Sequence, residues 1–102
     1  MGGNGDDTLD GGAGNDILNG GSGGSDILNG GLGDDRYYVV DSTADQVVEA
    51  AGGGTDVIYA GVDYSLAAGQ EVEALFANAG ATGLILAGNA FNNTLVGGVG
   101  DD

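Results

Sequence analysis

The first third of the chain is built from a nine-residue unit that occurs four times. The units are GGNGDDTLD at residues 2–10, GGAGNDILN at 11–19, GSGGSDILN at 21–29 and GGLGDDRYY at 30–38. One extra residue, Gly20, precedes the third unit, and in this alignment Ser22 stands where the pattern has Gly. The shared pattern is G-G-x-G-x-D-x-U-x, with U a large apolar residue. A repeat of this length predicts an array of stacked structural units.

Each unit combines a tight turn with a short strand. Gly at positions one, two and four allows φ > 0 and leaves backbone carbonyls exposed, and the sixth-position Asp adds a hard carboxylate oxygen beside them. These oxygens form half a cage for a hard cation. The last three residues suit a short strand that directs one apolar side chain inward. A single strand cannot bury that side chain, so the units are expected to stack.

Apolar residues recur after the glycine pattern weakens at Tyr38, at intervals of 8 to 11 residues. Residues 51–59 form a nearly complete unit, whereas 88–96 form a decayed one with Asn93 at its sixth position. Residues 47–51 and 66–76 lean towards helix but lack caps and length, so both are predicted as strands of the same coil. The predicted inward residues are Leu9, Leu18, Leu28, Tyr37, Val47, Ile58, Leu66, Leu75, Ile85 and Leu95.

Three sections follow from these patterns. Residues 2–38 are regular repeats, 39–87 are a degenerate spacer that continues the coil, and 88–102 are decayed and truncated repeats. Because both ends fall inside a repeat, Met1 is interpreted as an expression start and the chain as a piece of a longer protein. Uncapped coil ends would then permit end-to-end self-association.

Composition excludes several classes of protein. The 102 residues include 24 Gly but no Pro, Cys or His, which excludes collagen, disulfides and cysteine-ligated zinc. A net charge of −15, from 16 acids and one Arg, disfavours nucleic acid and anionic membranes as partners. No apolar run approaches the roughly 20 residues that span a bilayer, so membrane insertion is not expected. Cations are the expected partners.

Other interpretations of the motifs are weaker. A disordered acidic linker would not need an apolar residue at every ninth or tenth position. The adjacent acids Asp6/Asp7, Asp34/Asp35 and Asp101/Asp102 could be enzymatic carboxylate pairs, but neighbours on a tight turn seldom face a common substrate. Arg36 is interpreted as a solvated strand residue. The four tyrosines are interpreted as strand residues rather than a sugar-stacking stripe; they are Tyr37, Tyr38, Tyr59 and Tyr64.

The four units at 2–38 resemble the repeats-in-toxin family, the haemolysin-type calcium-binding repeats of exported bacterial proteins. Residues 37–41, 53–57 and 88–90 are similar to the degenerate spacer between its repeat blocks. The resemblance implies an all-β, right-handed parallel β-roll in which two units make one turn. Unit one would stack on unit three and unit two on unit four, with Ca²⁺ between stacked glycine turns and about two to four ions in total.

The resemblance also implies a set of ligands. Asp7 and Asp26 would share one ion, and Asp16 and Asp35 another on the opposite edge. Asp45 and Asp56 would extend these two series. Carbonyl ligands would come from the glycine turns, namely from Gly3, Gly5, Gly12, Gly14, Gly21, Gly23, Gly24, Gly31 and Gly33. The fifth-position acids Asp6 and Asp34 are expected to point to solvent.

The implied function is that of a non-catalytic calcium-binding module in a secreted or cell-surface bacterial protein. It would fold on Ca²⁺ outside the cell and stabilise a neighbouring domain or assist its type I secretion. The parent protein would be a toxin or an enzyme. The alternative is an adhesive or glycan-binding module of a large surface protein. The expected partners are calcium ions and the neighbouring domains of the parent chain.

Overall fold

All regular structure that is described consists of β-strands. The computed structural model describes residues 2–39, 45–49, 54–65, 72–77, 86–87 and 93–97, and no helix in these ranges could cross a membrane. The strands in these ranges are β1 (Gly3–Asn4), β2 (Thr8–Ala13), β3 (Ile17–Asn19), β4 (Gly21–Ser22), β5 (Ile27–Leu32), β6 (Arg36–Val39), β7 (Gln46–Val48), β8 (Val57–Ala60), β9 (Tyr64–Ser65), β10 (Ala74–Ala77), β11 (Leu86–Ala87) and β12 (Thr94–Val96).

The strands wind into a parallel coil. One sheet has the order β2-β5-β7 and another the order β3-β6-β8-β10-β12, while β1 pairs with β4 and β9 with β11. Every pair is parallel. In the repeats, β2, β3, β5 and β6 therefore alternate between the two larger sheets. This arrangement confirms the prediction of an all-β parallel β-roll.

The register confirms how the repeat units stack. Leu9 lies opposite Leu28 and Leu18 lies opposite Tyr37, so unit one pairs with unit three and unit two with unit four. In both cases the partners are 19 residues apart. Pairing continues into the spacer, where Tyr37 lies opposite Ile58 and Ile58 opposite Leu75. These steps are 21 and 17 residues long, so the turns vary in length while the coil continues.

The core is a column of side chains between the two sheets. Six predicted inward residues are buried, and Leu9 packs against them while half-buried. Leu95 was predicted to point inward but is 45% exposed, since it lies on β12, which pairs only with β10 among the described strands. Leu66 and Ile85 lie outside the described residues. The six buried residues are Leu18, Leu28, Tyr37, Val47, Ile58 and Leu75.

The two stretches with some helical propensity, 47–51 and 66–76, contain strands within the described residues. Gln46–Val48 is β7 and Ala74–Ala77 is β10. Alternation explains this result, because Val47 and Leu75 are buried while their strand neighbours are half-buried or exposed. The rest of these stretches, apart from the buried residues Glu49 and Val72 and the half-buried Glu73, lies outside the described residues.

The sequence alignment placed the extra residue of the third unit at Gly20, and the structure places it later in the unit. Gly21 pairs with Gly3 and Ser22 pairs with Asn4, so Ser22 occupies a third position and replaces no glycine. A Cβ added to Gly24 would meet the carbonyl group of Gly5, which makes Gly24 the fourth-position partner. The insertion is therefore absorbed at Gly23, where the backbone has a φ of 72°.

The tyrosines are strand residues, as predicted, but they face two ways. Tyr37 and Tyr64 are buried in the core. Tyr38 and Tyr59 lie on the outer face of the five-stranded sheet, where their rings stack with centroids 5.2 Å apart and planes at 15°. Phe76 packs edge-on against Tyr59 at 5.8 Å. The stacked rings stabilise the lateral pairing of β6, β8 and β10.

Candidate metal site

The sixth-position aspartates form two columns, one on each edge of the roll. In the first column the Asp7 N–H donates to Asp26 Oδ1 at 2.9 Å, and the Asp26 N–H donates to Asp45 Oδ1 at 3.0 Å. In the second column Asp16 and Asp35 donate in the same way to Asp35 and Asp56, at 2.8 and 2.9 Å. The structure thus stacks the carboxylates that the sequence analysis paired.

In five of these aspartates the second carboxylate oxygen has no hydrogen-bond partner. Oδ2 of Asp7, Asp16, Asp26, Asp35 and Asp56 is buried without a hydrogen bond. Asp26, Asp35 and Asp56 are at most 1% exposed. The one basic residue of the chain, Arg36, lies exposed on β6. Burying an uncompensated carboxylate costs several kcal/mol, so the charged form of these groups is favourable only beside a compensating cation.

Turn carbonyls lie beside this series of carboxylates. At Gly2, an added Cβ would overlap the Gly20 carbonyl oxygen and lie 2.5 Å from Asp7 Oδ2. The carbonyls of the predicted ligands Gly3, Gly12 and Gly14 instead approach the glycines stacked on them. At Gly11, an added Cβ would lie 2.6 Å from Asp16 Oδ2 and 2.8 Å from the Gly30 carbonyl oxygen. Carbonyl and carboxylate oxygens therefore converge between stacked turns, which is the oxygen donor set that Ca²⁺ prefers.

The glycines are required for two different reasons. Second- and fourth-position glycines have positive φ, for example 96° at Gly12 and 105° at Gly14. The first-position glycines do not, contrary to the expectation that all three positions use φ > 0. At Gly2 and Gly11 a Cβ would instead collide with Oδ2 of the sixth-position Asp in the same unit. The first glycine thus makes room for the carboxylate.

The fifth-position side chains were expected to point to solvent, and this was only half correct. Asp6, Asn15 and Asp34 are exposed, but each also accepts a backbone hydrogen bond from the next turn. The donors are the N–H groups of Ser25, Asp34 and Thr55, at 2.8, 2.9 and 2.9 Å. This ladder runs opposite to the sixth-position one, because the acceptor is here on the earlier turn. The two ladders together bind adjacent turns.

The second column continues further than the sequence analysis predicted. The Asp56 N–H donates to Glu73 Oε2 at 2.7 Å, so Glu73 takes the sixth-position place of the next turn. Asn93, predicted at such a place, donates from Nδ2 to the Val72 carbonyl at 2.7 Å. Glu73 was missed because the residues before it do not show the glycine pattern of the repeats. Glu73 nevertheless lies two residues before Leu75, as the sixth-position Asp lies two residues before the apolar residue in each repeat.

A second acid that the sequence analysis missed is Glu49, which follows β7 and is buried. Its Oε1 accepts a hydrogen bond from the Tyr37 hydroxyl. One ligand oxygen from each of Asp35, Glu49 and Asp56 lies within 4.8 Å of the others. Burial raises the pKa of Glu49 to about 7; the neighbouring charges of Asp56 and Asp35 act in the same direction, and the hydrogen bond from Tyr37 acts against them.

Burial also raises the pKa of Asp56 and of the Tyr37 hydroxyl, the latter with help from its hydrogen bond to Glu49. All of these shifts disfavour the charged form, because the site combines low solvent access with several like charges. A bound divalent cation would reverse that balance for the carboxylates.

Comparison with known proteins identifies the repeats. The model of the RTX calcium-binding nonapeptide repeat, which spans four copies, matches residues 1–24, 21–39 and 85–102, more than half of the chain. No curated protein and no solved structure matches the chain. The first two matched segments contain both members of the Asp7/Asp26 and Asp16/Asp35 pairs.

Proposed function

The chain belongs to the RTX calcium-binding nonapeptide repeat family, and we propose that its ions bind between stacked glycine turns, each shared by two sixth-position carboxylates. The module is structural and calcium-binding rather than catalytic. The observation that carries the proposal is the set of buried Oδ2 atoms without hydrogen-bond partners at Asp7, Asp16, Asp26, Asp35 and Asp56.

The proposed ligands follow the two columns. Asp7 with Asp26, and Asp16 with Asp35, hold one ion each, together with carbonyl oxygens of the adjoining glycine turns. Asp45 and Asp56 extend the columns into the spacer, which gives two to four ions in all. We therefore assign most of the calcium capacity to residues 2–38, with residues 39–87 continuing the coil and 88–102 holding decayed repeats.

Calcium should be preferred to magnesium. Carbonyls on glycine turns are numerous and adjustable, whereas Mg²⁺ needs a small, regular octahedron and keeps several waters. Isothermal titration calorimetry of the chain with each ion tests this. We expect Ca²⁺ dissociation constants on the order of 10⁻⁴ to 10⁻³ M, as for extracellular modules, and much weaker Mg²⁺ binding. Equal affinity for the two ions would contradict the proposed cage.

In the cell, this chemistry suits a module of an exported bacterial protein. With little free Ca²⁺ in the cytosol, repulsion among the carboxylates would keep the chain unfolded and able to pass through a secretion channel. Outside the cell, Ca²⁺ would fold the roll and stabilise a neighbouring toxin or enzyme domain. The net charge of −15 supports this proposal, because it opposes compaction until cations bind.

An adhesive or glycan-binding role finds less support in the described residues. A sugar stacks on the open face of an aromatic ring. Here Tyr38 and Tyr59 stack on each other, and Phe76 packs edge-on against Tyr59. Their contact surfaces are used for lateral packing of strands, so the row stabilises the sheet rather than presenting a platform for sugars.

A further inference from the structure

Glu49 stands where the regular repeats have glycine. Val48 pairs with Asn29, so Glu49 follows β7 at the place where Gly30 follows Asn29 one turn earlier. At Gly30 an added Cβ would overlap Asp35 Oδ2 and the Tyr37 hydroxyl, and it would lie 2.6 Å from Glu49 Oε1. The Glu49 side chain therefore brings a third carboxylate close to the stacked pair Asp35 and Asp56.

The three carboxylates are close enough to share one ion. Ca²⁺ holds oxygen ligands at 2.3–2.6 Å, so two ligands of one ion are separated by at most about 5 Å. One oxygen from each of Asp35, Glu49 and Asp56 falls within 4.8 Å of the others. The group is buried, since Asp35 is 1%, Glu49 5% and Asp56 0% exposed.

A second observation points to a cation at this place. Oδ1 of Asp35 and Oδ1 of Asp56 are each occupied by a backbone N–H from the preceding turn. Oδ2 of each is buried and has no hydrogen-bond partner. No basic side chain can neutralise them, because the chain has a single basic residue, Arg36, and it is exposed. The compensating positive charge has to come from solution.

We propose that Asp35, Glu49 and Asp56 form a three-carboxylate cation site at the junction between the regular repeats and the spacer, and that it is the tightest site of the chain. The inference rests on the proposed function, since Asp35 and Asp56 belong to the second column. The site differs from the other proposed sites because one of its ligands, Glu49, follows a strand of the opposite sheet. Calcium affinity rises with the number of charged ligands, so this site should fill first.

The same charge argument extends to trivalent cations of similar size. A site with three carboxylates should hold Tb³⁺ more tightly than Ca²⁺, because the attraction grows with the charge of the ion. Tyr37, whose hydroxyl donates to Glu49, would then lie beside the ion and transfer excitation energy to it. Tyrosine-sensitised Tb³⁺ luminescence is therefore a direct probe of this site.

The test is a Tb³⁺ and Ca²⁺ titration of the intact chain and three variants. Glu49→Gln should weaken the tightest binding step by about tenfold or more and abolish the first phase of luminescence. Tyr37→Phe should lose that luminescence while keeping most of the Ca²⁺ affinity. The matched control, Asp34→Asn, also removes one negative charge near the site, but from an exposed side chain, and should leave both readouts unchanged.

The outcomes are distinguishable. A wild-type chain that binds no Ca²⁺ would contradict the proposed function itself. Wild-type binding that Glu49→Gln leaves unchanged would overturn only the three-carboxylate site. If Glu49→Gln does not fold in saturating Ca²⁺, Glu49→Gly decides the question, because it restores the residue that the repeats have at this place. Unchanged tight binding in Glu49→Gly would overturn the inference, and its loss would support it.

Discussion

At the scale of single residues, adjacent acids of the repeat have different tasks. Asp34 is exposed, and its Oδ1 accepts from the Thr55 N–H at 2.9 Å. Asp35 is buried, its Oδ1 accepts from the Asp16 N–H at 2.8 Å, and its Oδ2 has no hydrogen-bond partner. Both acids therefore join turns through a hydrogen bond, and in the proposed function Asp35 also offers its second oxygen to an ion.

This division predicts that two conservative substitutions of adjacent acids differ in their effect on Ca²⁺ affinity. Asp34→Asn keeps the acceptor for Thr55, as Asn15 does one turn earlier, and should leave Ca²⁺ affinity nearly unchanged. Asp35→Asn also keeps an acceptor but removes a charged ligand from the second column, so Ca²⁺ affinity should fall by about tenfold or more. Calorimetric Ca²⁺ titration compares them. Equal losses would mean that the fifth position also ligates the ion.

A third variant isolates the hydrogen bond. Asp34→Ala removes the acceptor for the Thr55 N–H at an exposed site and should lower the free energy of unfolding in saturating Ca²⁺ by about 1 kcal/mol. Asp34→Asn serves as the control and should leave the free energy of unfolding unchanged, because it keeps the acceptor. Urea denaturation measures both. If Asp34→Ala were as stable as Asp34→Asn, the fifth-position ladder would contribute nothing to stability.

At the scale of elements, the stacking of turns is held by two side-chain ladders that run in opposite directions. Strands of two to six residues supply few hydrogen bonds of their own. The ladders fix the turns on which the strands depend. An ion between turns would add a third connection, made at once to the earlier and the later turn. Loss of either carboxylate should then remove the same connection.

A double-mutant cycle at Asp16 and Asp35 tests that sharing. Each Ala substitution leaves the second-column ion one carboxylate short, so each should weaken Ca²⁺ binding. The double variant should lose less than the sum of the two single losses, since a shared ion can be lost only once. Strict additivity in the calorimetric free energies would show that the two carboxylates bind different ions and that unit two does not share a site with unit four.

Sequence patterns predicted the elements well where the repeat is regular. The 19-residue register of Leu9 with Leu28 agrees with the spacing of the repeats combined with the two units per turn that the family resemblance implies. Glu49 was missed because the repeat pattern assigns glycine to the position that follows the strand, although Val48 pairs with Asn29 at the same 19-residue spacing as in the repeats. The insertion at Gly23 was misplaced because the glycine pairs on either side of Ser22 permit two alignments.

At the scale of the whole molecule, charge and burial oppose each other. The chain carries a net charge of −15, and it buries aspartates along both edges. The hydrophobic core is one column of residues between two sheets, which is little against a backbone entropy of about 1 to 2 kcal/mol per residue. Cations bound along the columns would replace the repulsion among these carboxylates with attraction, so folding and ion binding should be a single event.

The most direct test of this claim is far-UV circular dichroism of the chain across buffered Ca²⁺ concentrations, starting in EDTA. The account predicts an unfolded spectrum in EDTA and at submicromolar Ca²⁺. A cooperative change to a β-rich spectrum should follow near 10⁻⁴ to 10⁻³ M, or lower if the sites are coupled. Identical folded spectra in EDTA and in millimolar Ca²⁺ would contradict it, because the carboxylate columns would then be stable without their ions.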